Sequence, residues 1–542
     1  MKNTKKLYFY DTTLRDGMQG TNIFFSVEDK IKIAKRLNDA GIHYIEGGWP
    51  ESNPGAQRFF EEIKHIHLDH AKIADFGAPR RPHTSCKEDG NLTALLNSEA
   101  PVVTIFGKSW NLHVESIMQI SKQENLAMIR DSVSYLLDNG REVFYDAEHF
   151  FDGYKSDSEY ALKSLESAVE GGSKWLVLCD TNGGSMPFEI EEITRSVIGH
   201  FKYFPDINIG IHAHNDCAMA VANSVTAVQT GASMVHGTIN GYGERCGNAD
   251  LTAVIPILAL KMKLNCISSE NLEKLVSLSR FVSETANQPL AYSQAFVGKS
   301  AFAHKAGIHV NAIMKNPKAY EHINPLLVGN ERKVLVSEQS GRSNIEYKAK
   351  ELGLNMEKSE VNGRQIVSVV KDLEDCGYQF DAAEGSLKLI MEKLTGQFKP
   401  CFELQSFRVV VEKDMERPCY AYAMVKIKVG KTMEITSAEG DGPVSALDNA
   451  LRKALTTIYP SLNNMQLVDF KVRVIEGMGG TDAKVRVLID SRDENSNFST
   501  IGVSENIIEA SWHALADSFQ YKLSLDEKSG DEKPQITEFQ KV

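Results

Sequence analysis

The chain has 542 residues, 42% of them hydrophobic and 24% charged, with a formal net charge of −12, which is material for several domains with a full core and leaves no basic footprint for nucleic acid or for an anionic membrane surface. Its eight cysteines (Cys86, Cys179, Cys217, Cys246, Cys266, Cys376, Cys401 and Cys419) are scattered and never form Cys-x-x-Cys, which argues against a zinc-thiolate cage and against a disulfide framework. The first residues lead straight into a strand with no apolar h-region, and no later apolar run is long enough for a bilayer, so a cytoplasmic protein is expected.

Apolar runs bounded by turn residues predict eight strands, at 7–10, 42–46, 72–76, 102–106, 142–146, 175–179, 207–212 and 234–238. Between them, segments such as 27–38, 126–137 and 218–229 carry helical periodicity and end near Gly41, Gly140 and Gly231, residues able to stop a helix. Eight β/α units in residues 1–265 fit an α/β chain with a (β/α)8 TIM barrel, parallel strands and right-handed crossovers. An open doubly wound sheet is the alternative, disfavoured because candidate site residues fall at the ends of many strands rather than at one switch point. Residues 266–400 read as a helical connecting region, with amphipathic helices at 271–286 and 361–373. From 401 to 525 the grammar changes to strands at 402–412, 421–429 and 432–437 and a helix at 443–458, and the order then recurs with strands at 467–476, 483–491 and 498–504 and a helix at 506–519. This duplicated βββα unit predicts a separate α+β domain whose halves pack together. The tail 526–542, rich in Lys, Asp, Glu and Ser, is expected to be disordered.

Two segments carry chemistry. In Gly210-Ile-His-Ala-His-Asn-Asp216 the histidines are two apart on a strand, so His212 and His214 can present two imidazoles to one divalent cation. In Asp11-Thr-Thr-Leu-Arg-Asp-Gly17, Asp11 or Asp16 can add a carboxylate. Both segments stand where a strand ends and a loop begins, which in a barrel is the catalytic rim. The competing account is a pair of hydrogen-bonded core histidines. The glycines of Asn240-Gly-Tyr-Gly-Glu-Arg-Cys-Gly-Asn248 lack the Gly-x-Gly-x-x-Gly spacing of a dinucleotide site. A close backbone approach that aims Asn248 inward accounts for them better.

These motifs, with Asp11-Thr-Thr-Leu-Arg-Asp-Gly-Met-Gln19 read to its end and His212-Ala-His-Asn-Asp216, resemble the signatures of the acyl-CoA Claisen-condensing metallo-barrels, the family of 2-isopropylmalate, homocitrate and citramalate synthases. Glu46-Gly-Gly-Trp-Pro-Glu-Ser-Asn-Pro54, Thr104-Ile-Phe-Gly-Lys-Ser-Trp110, Asp146-Ala-Glu-His-Phe-Phe-Asp-Gly153, Leu178-Cys-Asp-Thr-Asn-Gly-Gly184, Ser300-Ala-Phe-Ala-His-Lys-Ala-Gly-Ile-His309 and Ser337-Glu-Gln-Ser-Gly-Arg-Ser-Asn344 resemble its long-form citramalate synthase branch. The resemblance implies Asp16, His212, His214 and Asn248 as ligands of a divalent cation (Mn, Mg, Zn or Co). It implies Arg15 against a developing alkoxide, Thr181 on a substrate carboxylate, Glu148 orienting the reacting groups, and His309 and Tyr320 reaching over the barrel mouth. Plainer roles compete: Arg15 in a structural ion pair with Asp11 or Glu46, and Asp146 and Glu148 accepting from rim arginines. The implied activity joins acetyl-CoA to pyruvate. The alternatives are the larger acceptor of a 2-isopropylmalate synthase and a catalytically dead metabolite sensor, although no ligand is missing; a lyase is disfavoured by the Gly-Glu-Arg-Cys-Gly-Asn form of the glycine loop. The C-terminal pattern is similar to the regulatory domain of 2-isopropylmalate synthases, which implies an isoleucine effector and a homodimer.

Overall fold

The computed structural model describes residues 6–529 apart from 338–339, 357–360, 414, 416–417, 476–482 and 495. The chain divides into two compact units, one of Met1–Phe302 with Ile323–Arg332 and one of Ala303–His322 with Lys333–Val542.

The first unit is a closed parallel barrel of eight strands in sequence order: β1 (Tyr8–Asp11), β2 (Tyr44–Gly48), β3 (Lys72–Gly77), β4 (Val102–Lys108), β5 (Glu142–Glu148), β6 (Trp175–Asp180), β7 (Asn208–Ala213) and β8 (Met234–Gly237), with β8 closing on β1. The eight runs read from the sequence are these strands. Because side chains alternate along a strand and both faces of a barrel strand are buried, each run is nearly continuously apolar. Tyr10, Tyr44, Ala74, Val102, Phe144, Trp175 and Met234 fill the barrel axis, while Phe9, Ile45, Ile73, Val103, Val143, Leu176, Ile211 and Val235 pack outward in one core with helix residues such as Ile33, Leu37 and Phe59. The helices Val27–Asp39, Lys122–Asp138 and Ala220–Thr230 stop before Gly41, Gly140 and Gly231, all at positive φ, as the stop signals predict. The predicted helix 271–286 is instead two, Ser269–Leu272 and Leu275–Thr285. Lys274 Nζ donates to Asp39 O at 2.7 Å and to Asn271 Oδ1 at 2.9 Å, tying the break to the end of a barrel helix.

The second unit opens with a parallel pair of two-residue strands, β9 (Ala303–His304) and β10 (Lys333–Val334), too short to carry any periodicity. Its helices are Gly307–Lys315, Arg342–Glu351, Gly363–Asp375 and Glu384–Leu394. Two antiparallel three-stranded sheets follow. The first is β11 (Glu403–Glu412), β12 (Tyr420–Val429) and β13 (Thr432–Gly440), and the second is β14 (Gln466–Val474), β15 (Val485–Arg492) and β16 (Asn497–Ser504). The helix Pro443–Leu455 follows the first sheet and the helix Ile507–Ser529 the second, giving the predicted duplicated βββα order. One core joins Ala423, Val425 and Ile427 to Ala446, Leu447 and Ala450, and Val487 and Ile489 to Ala510, Ala514 and Leu515. The last helix outruns its expected end at 519 and takes in residues 526–529, which had been expected in the tail. Asp526 is held there by Lys522 Nζ at 2.7 Å and by the Ser461 hydroxyl at 2.7 Å. The rest of that tail, 530–542, lies outside the described residues. The helix Glu384–Leu394 shares a core with Ile501 through Leu387 and Met391, and Ser386 Oγ accepts from Ile501 N at 3.0 Å. Residues on both sides of position 400 therefore belong to one compact unit. Among the described residues no helix is long and apolar enough to cross a membrane.

Candidate metal centre and active site

The end of β7 and the turn after β1 bring His212, His214 and Asp16 together. Asp16 Oδ2 stands 3.2 Å from His212 Nε2 and 3.8 Å from His214 Nε2, and the two imidazole nitrogens are 3.3 Å apart. Ligand atoms about 2.1 Å from one ion and at right angles stand about 3 Å from each other, so the three donors have separations that a single cation would impose. All three side chains are buried, and Asp16 Oδ1, His212 Nδ1 and His214 Nδ1 find no hydrogen-bond partner among the described residues. Burial opposes the charge of Asp16, but Arg15, His212 and His214 outweigh it and hold the carboxyl well below the usual carboxylate range. Burial and the neighbouring His212 pull His214 down to about 4, so its imidazole is neutral and has a lone pair to donate.

Asn248 joins this group through the backbone. It forms an isolated antiparallel bridge with His214, flanked by Asn215 N donating to Gly247 O and Ala249 N donating to Ala213 O, each at 2.9 Å. Its Nδ2 donates to Tyr242 O at 3.1 Å, which leaves Oδ1 buried without a partner. The glycines make this approach possible. Gly247 has φ +85°, and a Cβ there would land on Gly241 O.

Arg15 is fixed from two sides. Its Nε donates to Glu46 Oε1 at 2.6 Å, and its guanidinium lies over the Phe76 ring at 3.8 Å, a cation–π geometry. The ion pair with Glu46 weighed in the sequence reading thus exists, and it leaves Nη1 only 3.7 Å from Asp16 Oδ2. Glu46 is fully buried, and its other oxygen accepts from Tyr10 OH at 2.8 Å, with Thr104 Oγ1 2.7 Å from the same hydroxyl. Asp11 is not part of the cluster. It accepts from Thr13 N and Oγ1 at 3.0 and 2.8 Å, and burial pushes its carboxyl up to about 7. Phe76 stacks on Phe106 with centroids 5.0 Å apart, and Trp49 meets both edge-on. The chain ends of β3 and β4 therefore build an aromatic wall beside Arg15.

Three families match in order along the chain: HMGL-like over residues 6–282, homocitrate synthase post-HMGL domain-like over 296–377, and LeuA allosteric (dimerisation) domain over 381–523. The "(R)-citramalate synthase" of Aquifex aeolicus is 52% identical over 97% of this chain and 99% of its own length, and that of Geobacter sulfurreducens is 52% identical over 96% and 98%. The "2-isopropylmalate synthase" of Methanocaldococcus jannaschii is 30% identical over 96% of each chain. The chain belongs to the (R)-citramalate synthase branch of the HMGL-like family. It is an enzyme of the acyltransferase type.

The remaining candidate residues of this citramalate synthase relative divide between the units. At the end of β5, Glu148 pairs with Lys108 of β4, a lysine where a rim arginine had been weighed. Thr181, just after β6, accepts from His149 N at 2.9 Å through its Oγ1, which leaves its hydroxyl proton free to turn toward a ligand. His309 and Tyr320 lie in the second unit, stacked with centroids 4.1 Å apart at 28°. A second buried group, Asp146, His212 and His236, adjoins the first. There burial pushes Asp146 up to about 7 and pulls His236 down, and the buried Asp146 Oδ1 finds no hydrogen-bond partner among the described residues, so no rim arginine donates to it. Sequence reasoning gave no role to Tyr10, Lys108 or Arg245. Each lies one to three residues from a residue it did single out, and its side-chain direction was the information missing.

Proposed function

We propose that the chain condenses acetyl-CoA with pyruvate and water to (R)-citramalate and CoA, the first step of a threonine-independent route to isoleucine. The buried Asp16–His212–His214 group beside Arg15 carries this reading, supported by the names of the relatives. Asp16, His212, His214 and the unpartnered Oδ1 of Asn248 would hold a divalent cation, with N and O donors that suit Mn, Mg, Zn or Co. When bound, such a cation polarises the ketone of a chelating 2-oxo acid as a Lewis acid. Arg15, held by Glu46 and Phe76, faces the same point with positive charge and stabilises the alkoxide oxygen formed when the acetyl methyl carbon attacks the ketone. Thr181 donates its hydroxyl to the substrate carboxylate, and Glu148 orients the reacting groups. His309 takes the methyl proton or activates water for thioester hydrolysis, with Tyr320 against its ring; this pair rests on the sequence resemblance. The Phe76–Phe106 stack favours an acceptor with a methyl side chain.

The test is CoA release with acetyl-CoA and a panel of 2-oxo acids, each with and without Mn2+ or Mg2+. Pyruvate is expected to exceed 2-oxoisovalerate in kcat/KM by at least about tenfold, the lower end of apolar size discrimination. Equal or reversed preference would move the chain to the 2-isopropylmalate branch. For the second unit we infer homodimerisation and feedback by isoleucine. The outer face of the first sheet is open and carries apolar side chains, Tyr422, Met424, Met433 and Ile435 between 37% and 60% exposed, interleaved with Lys426, Lys428 and Arg408. Gly442 and Pro443 open one helix, and Gly502-Val-Ser-Glu505 precedes the other. Such helix N-termini suit an amino-acid carboxylate.

A further inference from the structure

Three βα loops carry or flank the candidate ligands: the loop after β6 with Thr181, the loop after β7 with His214, and the loop after β8 with Asn248. One side chain touches all three. Arg245 donates through Nε to Asp216 Oδ1 at 2.7 Å and through Nη2 to Asp216 Oδ2 at 3.0 Å, the two-pronged fork that fits a carboxylate. The same Nη2 donates to Thr181 O at 2.7 Å. Arg245 itself stands on the loop after β8, three residues before Asn248, and Asp216 follows His214 by two.

The local backbone is shaped around this contact. Arg245 has φ +55°, unusual for a residue with a long side chain. Gly183 has φ +61°, and a Cβ there would overlap Asp216 Oδ2, so glycine leaves the room the carboxylate occupies. Gly183 O accepts from Cys217 N at 3.1 Å, and Asp180 O from His214 N at 3.2 Å, so the loops after β6 and β7 are also joined through their backbones. Among the described residues, the loop after β8 meets the strand and loop of β7 through backbone bonds from Asn215 N to Gly247 O and from Ala249 N to Ala213 O. The guanidinium adds a third tie, from the far side of the glycine loop.

We propose that Arg245 is a positioning residue of the metal centre: by clasping Asp216 and Thr181 O it sets the separation of His214 from Asn248 and the placement of the Thr181 hydroxyl. It touches no candidate ligand atom and acts through the loops that hold them. The proposal rests on the metal-centre reading given above. Outer partners that orient ligands are typically worth 10- to 100-fold in metal affinity.

The experiment titrates Mn2+ into metal-stripped, full-length protein and follows the free-ion paramagnetic resonance signal, with melting of the metal-free protein as the control for folding. If the parent protein binds no Mn2+, the metal-centre reading itself fails. If it binds, Arg245→Lys keeps the charge without the fork, and Arg245→Asn suits the left-handed backbone. Both are expected to raise the Mn2+ Kd by about 10- to 100-fold with the metal-free melting temperature unchanged. Asp216→Asn should lose as much, and the double variant Arg245→Asn/Asp216→Asn should lose no more than either alone, because one clasp is broken once. The proposal is overturned by a Kd in both Arg245 variants within about twofold of the parent, by additive losses in the double variant, or by a fall in metal-free melting in both Arg245 variants, which would make the contact a general support of the fold.

Discussion

Asp16 and His212 are each held by the other, and the cost of removing either differs from the cost of removing an ordinary surface pair. Asp16→Asn takes away the one carboxylate of the buried donor set, and His212→Ala takes away its central imidazole. Either change is expected to abolish condensation while acetyl-CoA binding, read by calorimetry, weakens far less, because only the polarised ketone is lost. Near-normal turnover by either variant, with metal removed, would sink the assignment. The wall beside Arg15 gives a second expectation. Phe106 touches Phe76 and Trp49, whereas the ring under the Arg15 guanidinium is Phe76, so Phe106→Ala enlarges the pocket and leaves that cation–π contact in place. The ratio of kcat/KM for 2-oxoisovalerate to that for pyruvate should rise by at least about tenfold, as expected when an apolar pocket gains room for extra methyl groups. An unchanged ratio in steady-state assays would place the acceptor's side chain elsewhere.

At the scale of elements, the glycine loop after β8 and the first sheet of the second unit make the two sharpest claims. Gly247→Ala puts a Cβ on Gly241 O at φ +85°, a left-handed strain of order 1–3 kcal/mol before the clash is counted. Its relief moves Asn248, so the variant should bind Mn2+ more weakly in the same titration while its far-ultraviolet circular dichroism is unchanged. Parent-like binding would show that Asn248 does not depend on the turn. In the sheet, Lys426 pairs with Ile435 and Lys428 with Met433 on β12 and β13, and alternation sends Ala423, Val425 and Ile427 to the helix side and Tyr422 and Met424 to the open side. An open face that carries these apolar side chains between lysines, on a domain of the LeuA allosteric (dimerisation) type, is expected to be covered by a second copy. Ile435→Glu should lower the mass measured by light scattering from dimer to monomer, and a dimer that persists at micromolar concentration would locate the interface on another face.

For the molecule as a whole, the second unit has its own core and contains no group of three His, Cys, Asp or Glu ligands among the described residues. It is suited to regulation through binding that differs between two states. Isoleucine in the millimolar range is therefore expected to inhibit the full-length protein and raise its melting temperature, and leucine and valine to do so less. If none of the three inhibits or shifts the melting temperature, the domain only dimerises. Cutting the chain at 400 would not test this cleanly, because Leu387 and Met391 share a core with Ile501.

The eight barrel strands, the three helix-stopping glycines and the duplicated βββα order were legible because burial on both faces, positive φ and alternation each leave a local mark on the residues themselves. The pairing of His212 with His214 was equally local, since it needs only two residues on one strand face. Three things were not local. Spacing alone left Asp11 and Asp16 open and the family resemblance implied Asp16; the physical reason lies in the turn after β1, where Asp11 bonds Thr13 and Asp16 turns to the histidines. The orientation of Phe76 and Phe106, and the reach of Arg245 across three loops, depend on strands and loops that lie 29 or more residues apart in the chain. A side chain's identity and spacing decide which chemistry it can do, but the direction it faces is set by barrel closure, when distant strands become neighbours and the rim loops are brought to one place.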